Sequence, residues 1–218
     1  MPSATIFTKE KKTTLRDKAL AQVRQAILSG KLKPGDRLIE QELSEEMGIS
    51  RLPIREAIAS LEHEGLVTIE PYKKTVVTKL SPKEIDDIYS IRELLELHAL
   101  QLLMRDDASA AVARLEEVIR CMEEGWADAG SDFVGNDFAF HESLCQMTGN
   151  SMLHKLWLML STKILVYINI EAKRSSLPLM VENHRKLCRL IAAGDLAAAS
   201  EALKKHLRSG RDRVLGLA

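Results

Sequence analysis

The sequence predicts a mainly α-helical protein with two domains and one short β-hairpin, on the basis of three observations. Apolar residues recur at helical spacing through most of the chain, β-branched runs typical of strands occur around residues 66–78, and a new helix start signal follows at residue 81. The 218 residues exceed one typical domain, and a hydrophobic content of 45% can support substantial cores. We therefore expect a tail over residues 1–12, a first domain over 13–80, an all-helical second domain over 81–210 and a tail over 211–218.

Two helices separated by a tight turn are predicted in the first domain. Apolar residues recur at helical spacing over residues 39–47, and Gly48 is a typical helix-ending residue. Ser50 is a favourable N-cap for the next helix, and Pro53 is tolerated in a first turn whose N–H groups lack intrahelical partners. The pattern is that of a helix-turn-helix unit.

Arg51 and Arg55 are four residues apart near the start of this second helix. They project from one face, at the helix end that enters the major groove in helix-turn-helix proteins, where arginine can make bidentate contacts with guanine. The alternative is that both arginines are solvated helix charges. The surrounding sequence favours DNA recognition.

A β-hairpin is predicted directly after these helices. Residues 66–69 and 75–78 are rich in β-branched side chains, and the segment 71–74 between them contains a proline and two lysines. We interpret this hairpin as the wing of a winged helix-turn-helix domain.

The region from about residue 20 to residue 77 resembles the winged helix of the GntR family. The resemblance is carried, in matching order and spacing, by residues 25–38, 40–43, 48–51, 53–57, Leu61 and 65–67. It implies binding to double-stranded DNA, with Arg51 and Arg55 reading bases and Ser50, Gln41, Lys73 and Lys74 contacting bases or phosphates. The chain departs from the family at the wing tip, where Lys74 replaces the usual glycine, and we expect the two lysines to meet phosphates.

The charge distribution supports a small DNA footprint. The formal net charge is zero, from 31 basic and 31 acidic residues, but residues 1–80 contain 14 of the basic and 11 of the acidic ones. The two halves therefore carry +3 and −3, a modest asymmetry in the direction that nucleic-acid binding requires.

Cysteine usage and hydropathy indicate a cytoplasmic protein without a membrane segment. Cys121, Cys145 and Cys188 are odd in number and lack a paired metal-ligand spacing, so no disulfide framework or thiolate zinc site is indicated. Charged residues at 9–12 precede any long apolar run, unlike an ordinary secretory signal. The apolar segment 156–170 is shorter than the roughly 20 residues of a membrane-spanning helix, and we interpret it as a buried core helix.

The second domain is predicted to be an antiparallel helical bundle. Ser81, Pro82 and Glu84 form a capping-box signal with proline at the first helical position, so a helix begins immediately after the wing. Apolar periodicity then predicts further helices over residues 109–128, 132–147, 151–171, 178–193 and 195–208.

Within this bundle, one aspartate and three histidines have the chemistry of metal ligands. Asp137 and His141 lie one helical turn apart on the same face, while His184 and His206 belong to two helices that an antiparallel hairpin can align. Three imidazoles and one carboxylate suit divalent ions such as zinc, nickel, cobalt or manganese, with zinc our first choice. Taken singly, each histidine would more often be a surface or structural residue.

Residues 82–210 resemble the FCD effector-binding domain of the FadR-type branch of the GntR family. The segments that carry the resemblance are 137–141, Leu144, 149–150, 182–184 and 203–207. The resemblance implies an all-helical domain with a metal at the floor of a cavity, where a small organic acid completes the coordination shell.

Arg92 matches a position of this domain that often faces the cavity and pairs with an anionic effector. The alternative is an ordinary surface salt bridge with Glu96, four residues further along the helix, worth about 0.3–0.5 kcal/mol.

Together these features predict a metabolite-responsive transcription regulator, a repressor by default, that binds a palindromic operator as a homodimer. It is not expected to be an enzyme. Two alternatives remain at this point, namely a metal-dependent hydrolase, because open coordination positions can activate water, and a DNA-binding regulator whose metal is purely structural.

Overall fold

The computed structural model of the chain describes residues 13–70, 74–105, 107–127, 133–172 and 177–217. Within these ranges the elements follow one another as α1 Leu15–Leu28, α2 Glu40–Met47, α3 Arg51–His63, β1 Val67–Glu70, β2 Lys74–Val77, α4 Pro82–Leu103, α5 Ser109–Ala127, α6 Phe133–Gln146, α7 Ser151–Ala172, α8 Leu177–Ala192 and α9 Leu196–Val214. The predicted fold class, mainly helical with one small hairpin, is confirmed.

The helix-turn-helix unit is formed by α2 and α3, packed on α1. Gly48 ends α2 with a φ of 63°, a left-handed conformation that glycine adopts without a Cβ clash. Ser50 occupies the N-cap position of α3 in extended backbone, but its side chain makes no capping hydrogen bond. Ile54 and Leu61 on α3 are buried with Ile27 on α1, so the face opposite this core is left for solvent.

The hairpin joins β1 and β2 as an antiparallel pair, with Val67 opposite Val77 and Glu70 opposite Lys74. The segment before α2 is attached to it, since the Leu38 amide donates to the Thr75 carbonyl oxygen at 2.8 Å. This pairing fixes the wing beside the helix-turn-helix unit. Lys73, predicted to contact DNA, lies outside the described residues.

In the second half, α4 begins with the predicted capping box. The Ser81 side chain accepts from the Glu84 amide, and the Glu84 carboxylate accepts from the Ser81 amide at 2.8 Å. The later helices lie where periodicity placed them, except that α9 continues to Val214 instead of ending near residue 208. The extension includes residues assigned to a tail, and it is stabilised because Val214 packs on the small core around Ile88 and Tyr89.

Helix α7 is the buried core helix expected from its composition, and it contacts both halves of the molecule. Trp157 and Ile164 are buried within the second half, whereas Val166 is buried in the core of the winged helix. The next residue, Tyr167, accepts a hydrogen bond from the Leu80 amide at 2.5 Å. Among the described residues, no helix is both long and apolar enough to cross a membrane.

Candidate functional site

The four predicted metal ligands converge on one point of the helical half. Asp137 and His141 come from α6, His184 from α8 and His206 from α9, and their ligand atoms all lie within 4.8 Å of one another. His206 is partly buried and the other three residues are buried. We call these four residues the donor cluster.

Hydrogen bonds behind the donor cluster orient the imidazole rings. The Nδ1–H of His141 donates to Glu96 Oε2 at 2.7 Å, and the Nδ1–H of His184 donates to the Met180 carbonyl oxygen at 2.8 Å. Both rings therefore present the lone pair of Nε2 toward the centre of the cluster, which is the usual arrangement behind a metal-bound histidine.

Two contacts within the donor cluster indicate that the described protein atoms do not satisfy all of its hydrogen-bonding groups. His141 Nε2 and His206 Nε2 are 3.0 Å apart, although at most one of two neutral rings can donate across that gap. Among the described residues, the buried His184 Nε2 has no hydrogen-bond partner, and it lies 3.2 Å from Asp137 Oδ1. Buried polar atoms normally have partners, so these nitrogens and the carboxylate fit a divalent cation between them.

The electrostatics of the donor cluster favour the protonation states that metal binding needs. Burial alone raises the pKa of the Asp137 carboxyl, but His184 and the other two histidines outweigh it and hold that pKa below its ordinary value. Burial and the neighbouring imidazoles lower the pKa of His206 well below its ordinary value. At neutral pH the cluster therefore offers an ionised carboxylate and a neutral His206 ring.

Glu96 supports the donor cluster from behind and was not identified from the sequence as a site residue. Its carboxylate accepts from His141, from Trp157 Nε1 at 2.7 Å and from Arg92 Nε and Nη2 at 3.1 and 2.9 Å. Burial raises its pKa, but His141 and Arg92 outweigh burial and bring the pKa to about 2. The sequence offered a signal only for its burial, because Glu96 shares a helix face with the apolar residues Ile85 and Ala99. Its contact with His141 depends on the packing of α4 against α6.

Arg92 forms the i, i+4 ion pair with Glu96 that the alternative predicted, but the pair is buried, so its predicted surface location is wrong. Its side chain is 4% exposed and that of Glu96 is 0% exposed. A buried pair of this kind has a different consequence from an exposed one, because removing one partner leaves an unpaired charge inside the protein.

A cavity opens beside the donor cluster. It encloses about 30 Å³, room for about one or two water molecules, within about 410 Å³ of surrounding space that includes open solvent. Its lining combines polar groups with apolar side chains, as small-molecule sites commonly do. The lining residues are Tyr89, Arg92, Asp137, His141, Ile168, Met180, His206, Leu207, Gly210, Arg213 and Val214.

The predicted base-reading arginines lie on the opposite side of the winged helix from its core. The side chains of Arg51 and Arg55 are 60% and 61% exposed, and both donate to Glu40, with Arg55 making contacts of 3.0–3.3 Å. Glu40 lies at the start of α2 and was not predicted to take part. The shared contact with Glu40 therefore orients both guanidinium groups toward the start of α2.

The other predicted DNA contacts are also at the surface. Ser50, Gln41 and Lys74 are exposed, and Gln41 donates to Glu45 at 3.0 Å within α2. The structure thus brings Ser50 and Gln41 to the same end of the helix-turn-helix unit as the two arginines, while Lys74 lies on the wing.

Each half of the chain matches a known protein family. Residues 15–77 match the family described as bacterial regulatory proteins, gntR family, and residues 87–209 match the FCD domain. An uncharacterized HTH-type transcriptional regulator from an unstable DNA locus of Streptomyces ambofaciens is 30% identical over 211 residues, covering 93% of this chain and 86% of that protein.

Other relatives agree with this assignment, and a solved structure shares the fold. The gluconate operon transcriptional repressor of Bacillus subtilis (strain 168) is 26% identical, covering 88% of this chain and 82% of the repressor. The HTH-type transcriptional regulator LutR of the same organism is 27% identical, covering 87% and 96%. A putative GntR transcriptional regulator from Rhodococcus sp. RHA1 shares the fold, with a TM-score of 0.80 at 23% identity over 93% of this chain and 98% of that one.

The buried Arg92–Glu96 pair leads to a stability prediction. Replacing Arg92 by leucine is expected to lower the free energy of unfolding by about 3–5 kcal/mol, because the Glu96 carboxylate loses its buried cation. The measurement is urea denaturation in the presence of a chelator, so that metal content does not differ between proteins. The matched control is Arg208→Leu, whose exposed pair with Glu93 should contribute less than about 1 kcal/mol. Equal losses in the two variants would contradict the prediction.

Proposed function

Because this chain belongs to the GntR family of bacterial transcriptional regulators and carries an FCD domain, we propose that it is a metabolite-responsive repressor that binds a palindromic operator as a homodimer. The observation that carries the proposal is the buried donor cluster beside a cavity, in the same chain as two exposed arginines on a recognition helix. We propose the domain division at about residue 80, and the two family matches fall within residues 13–80 and 81–210. The cytoplasm, where bacterial DNA resides, is the proposed location.

The prediction that the chain is not an enzyme is confirmed by its relatives, which are transcriptional regulators. The hydrolase alternative is therefore set aside. The alternative of a purely structural metal is separated from effector sensing by the experiments below.

DNA recognition is assigned to the N-terminal end of α3. Arg51 and Arg55 project from one face and are held by Glu40, so the free protein already presents both guanidinium groups at the surface. Holding them in advance reduces the conformational entropy lost on binding. Each guanidinium can donate two hydrogen bonds to the O6 and N7 atoms of a guanine.

Substitution of either arginine tests this assignment. Arg51→Ala and Arg55→Ala are each expected to weaken operator binding by about 1–3 kcal/mol and to relax sequence preference at one position. The operator is first obtained by selecting source-organism genomic fragments with the purified protein, and affinities are then measured by fluorescence anisotropy. Arg114→Ala removes an exposed arginine of α5 that pairs with Glu117 and should leave affinity unchanged. Unaltered binding by both test variants would refute the assignment.

The donor cluster is the proposed site of a divalent transition metal, with zinc preferred and nickel, cobalt or manganese also suited. Asp137, His141, His184 and His206 would hold the ion, and Glu96 and the Met180 carbonyl would keep two of the rings aligned. When bound, the ion supplies a Lewis acid that can bind the carboxylate of a small organic acid. The name of the gluconate operon repressor, a relative, refers to an operon for one such acid.

Removal of one ligand tests the metal site. His184→Ala is expected to lose most bound metal and the response of operator binding to organic acids, because a buried donor nitrogen is deleted while α3 is unaffected. His98→Ala, which removes an exposed imidazole from α4, is the matched control. Metal content is measured by mass spectrometry of the purified proteins. Full metal occupancy in the His184 variant would rule out the assignment, and loss of metal with no effect of any acid on either protein would indicate a structural metal.

Dimer formation is supported by exposed apolar side chains on two adjacent helices. Ile91 and Leu94 on α4 and Leu156 and Met159 on α7 are between 44% and 64% exposed, and α4 and α7 pack against each other. Burial of such side chains in a second copy would remove apolar area from water. Two winged helices would then read the two halves of a palindrome.

Helix α7 provides the proposed link between the cavity and the DNA-binding domain. Ile168 lines the cavity, Tyr167 is bonded to Leu80 in the connection between the domains, and Val166 is part of the winged-helix core. A ligand that changes the position of this part of α7 would therefore change the arrangement of the two domains. The effect cannot exceed the difference in ligand affinity between those arrangements.

Tyr167→Phe tests this link by deleting the hydroxyl that bonds Leu80. The change in operator affinity caused by an active organic acid is expected to differ from that of wild type by about 0.5–2 kcal/mol. Metal content should stay the same, because Tyr167 is not a ligand. Thr162→Val is the control, since it removes a hydroxyl from the same helix that bonds only locally, to the Leu158 carbonyl at 2.8 Å. An identical acid response in all three proteins would exclude a role for this hydrogen bond.

A further inference from the structure

We propose that Arg213 binds a second anionic group of the effector, so that the cavity selects small dianionic acids over monocarboxylates. The inference rests on the proposed effector function and makes its ligand class specific. It assigns to Arg213 the role that the sequence suggested for Arg92.

The positions of α9 residues place Arg213 in the lining of the same cavity as His206, further along the helix. His206, Gly210 and Arg213 all line the cavity, and they are related as i, i+4 and i+7, which is one face of a helix. Seven residues correspond to about 10 Å of helix rise. Because helical side chains lean toward the N-terminus, the guanidinium of Arg213 can reach back toward His206 and shorten this separation.

Gly210 lets the side chains of Tyr89 and Arg213 lie close to α9. A Cβ at this position would lie 3.3 Å from the Tyr89 hydroxyl and 3.9 Å from Arg213 Nη2. Glycine inside a helix costs about 1 kcal/mol relative to alanine, so helix stability does not account for it. The missing side chain therefore allows the close approach of Tyr89, and the Arg213 guanidinium lies beside Gly210, one helical turn from His206.

The charge of Arg213 is not neutralised by the residues that the structure describes. Its Nη1 donates to the Ser209 hydroxyl at 2.7 Å, and none of the ion pairs between described residues includes it. The neighbouring Arg208 and Arg211, by contrast, pair with Glu93 and with Asp86 and Asp212, respectively. Arg92 is likewise committed to Glu96 within the protein.

The charges around the cavity then indicate how many negative charges a ligand should carry. Arg92 and Glu96 cancel each other, and a divalent ion with Asp137 leaves a charge of about +1 at the donor cluster. Arg213 adds a second positive charge to the lining. A monocarboxylate would compensate only the first, whereas a dianion compensates both, and charge-assisted contacts are stronger in a partly buried site than in water.

The test compares matched acids on the full-length, zinc-loaded protein by isothermal titration calorimetry. The pairs are malonate with propionate, succinate with butyrate and glutarate with valerate, and zinc content is measured for every protein. For at least one pair, wild type is expected to bind the dicarboxylate about 10-fold or more tightly than the monocarboxylate. Arg213→Gln should reduce this preference to about 2-fold or less, without change in zinc content or monocarboxylate affinity.

Two further variants control the experiment. Arg208→Gln removes an arginine of α9 that pairs outside the cavity and should keep the wild-type preference. Arg213→Lys keeps the charge without the planar guanidinium and should retain a reduced preference.

Phosphoglycolate, compared with glycolate, tests phosphate as the second anion. A preference for phosphoglycolate that depends on Arg213 would support the inference with phosphate as that anion.

The outcomes separate this inference from the proposed function. Equal binding of mono- and dianions by wild type, or an unchanged preference in Arg213→Gln, would overturn the role of Arg213 while acid sensing stands. If no acid binds either protein although operator binding is intact, acid sensing fails and the inference fails with it.

Discussion

The carboxylate of Glu96 accepts hydrogen bonds from three helices at once. Arg92 of α4, His141 of α6 and Trp157 of α7 all donate to it, and none of these contacts exceeds 3.1 Å. A fully buried carboxylate is costly unless it is paired and hydrogen-bonded, so the three helices are constrained to keep their donors around it. The same contact fixes the ring of His141, and the geometry of the donor cluster therefore depends on a residue that is not one of its four members.

The same constraint makes the two arginines that line the cavity differ in their partners. Arg92 is paired with Glu96 inside the protein, and its positive charge is needed to keep the Glu96 carboxylate ionised there. Arg213 has no carboxylate partner among the described residues. It lies about two helical turns beyond His206, on a helix whose last turn packs on the core through Val214. Under the proposal that Arg213 binds the effector, its substitution would change ligand selectivity without breaking the buried Arg92–Glu96 pair.

Helix α7 connects this chemistry to the DNA-binding surface through packing. Trp157 bonds Glu96, Ile168 lines the cavity, and Val166 belongs to the core of the winged helix. Lys163 lies against Gly65, where a Cβ would approach its side chain to 2.8 Å. A closely packed helix can transmit displacement because its neighbours cannot deform freely, and α7 contributes residues to the cores of both halves.

The sequence by itself determined the local features, namely the helix starts, the hairpin and the turn at Gly48, because caps and periodicity depend on near neighbours. Local spacing paired Asp137 with His141, whereas the full set of four metal-binding candidates was supported by the resemblance to the FCD domain. Tertiary structure decided what distant residues do. It placed Glu96 behind His141, 45 positions away, buried the Arg92 pair that spacing alone suggested was exposed, and brought the end of α9 into the cavity. Burial and charge compensation arise only when separate helices meet, so no local pattern could have assigned those roles.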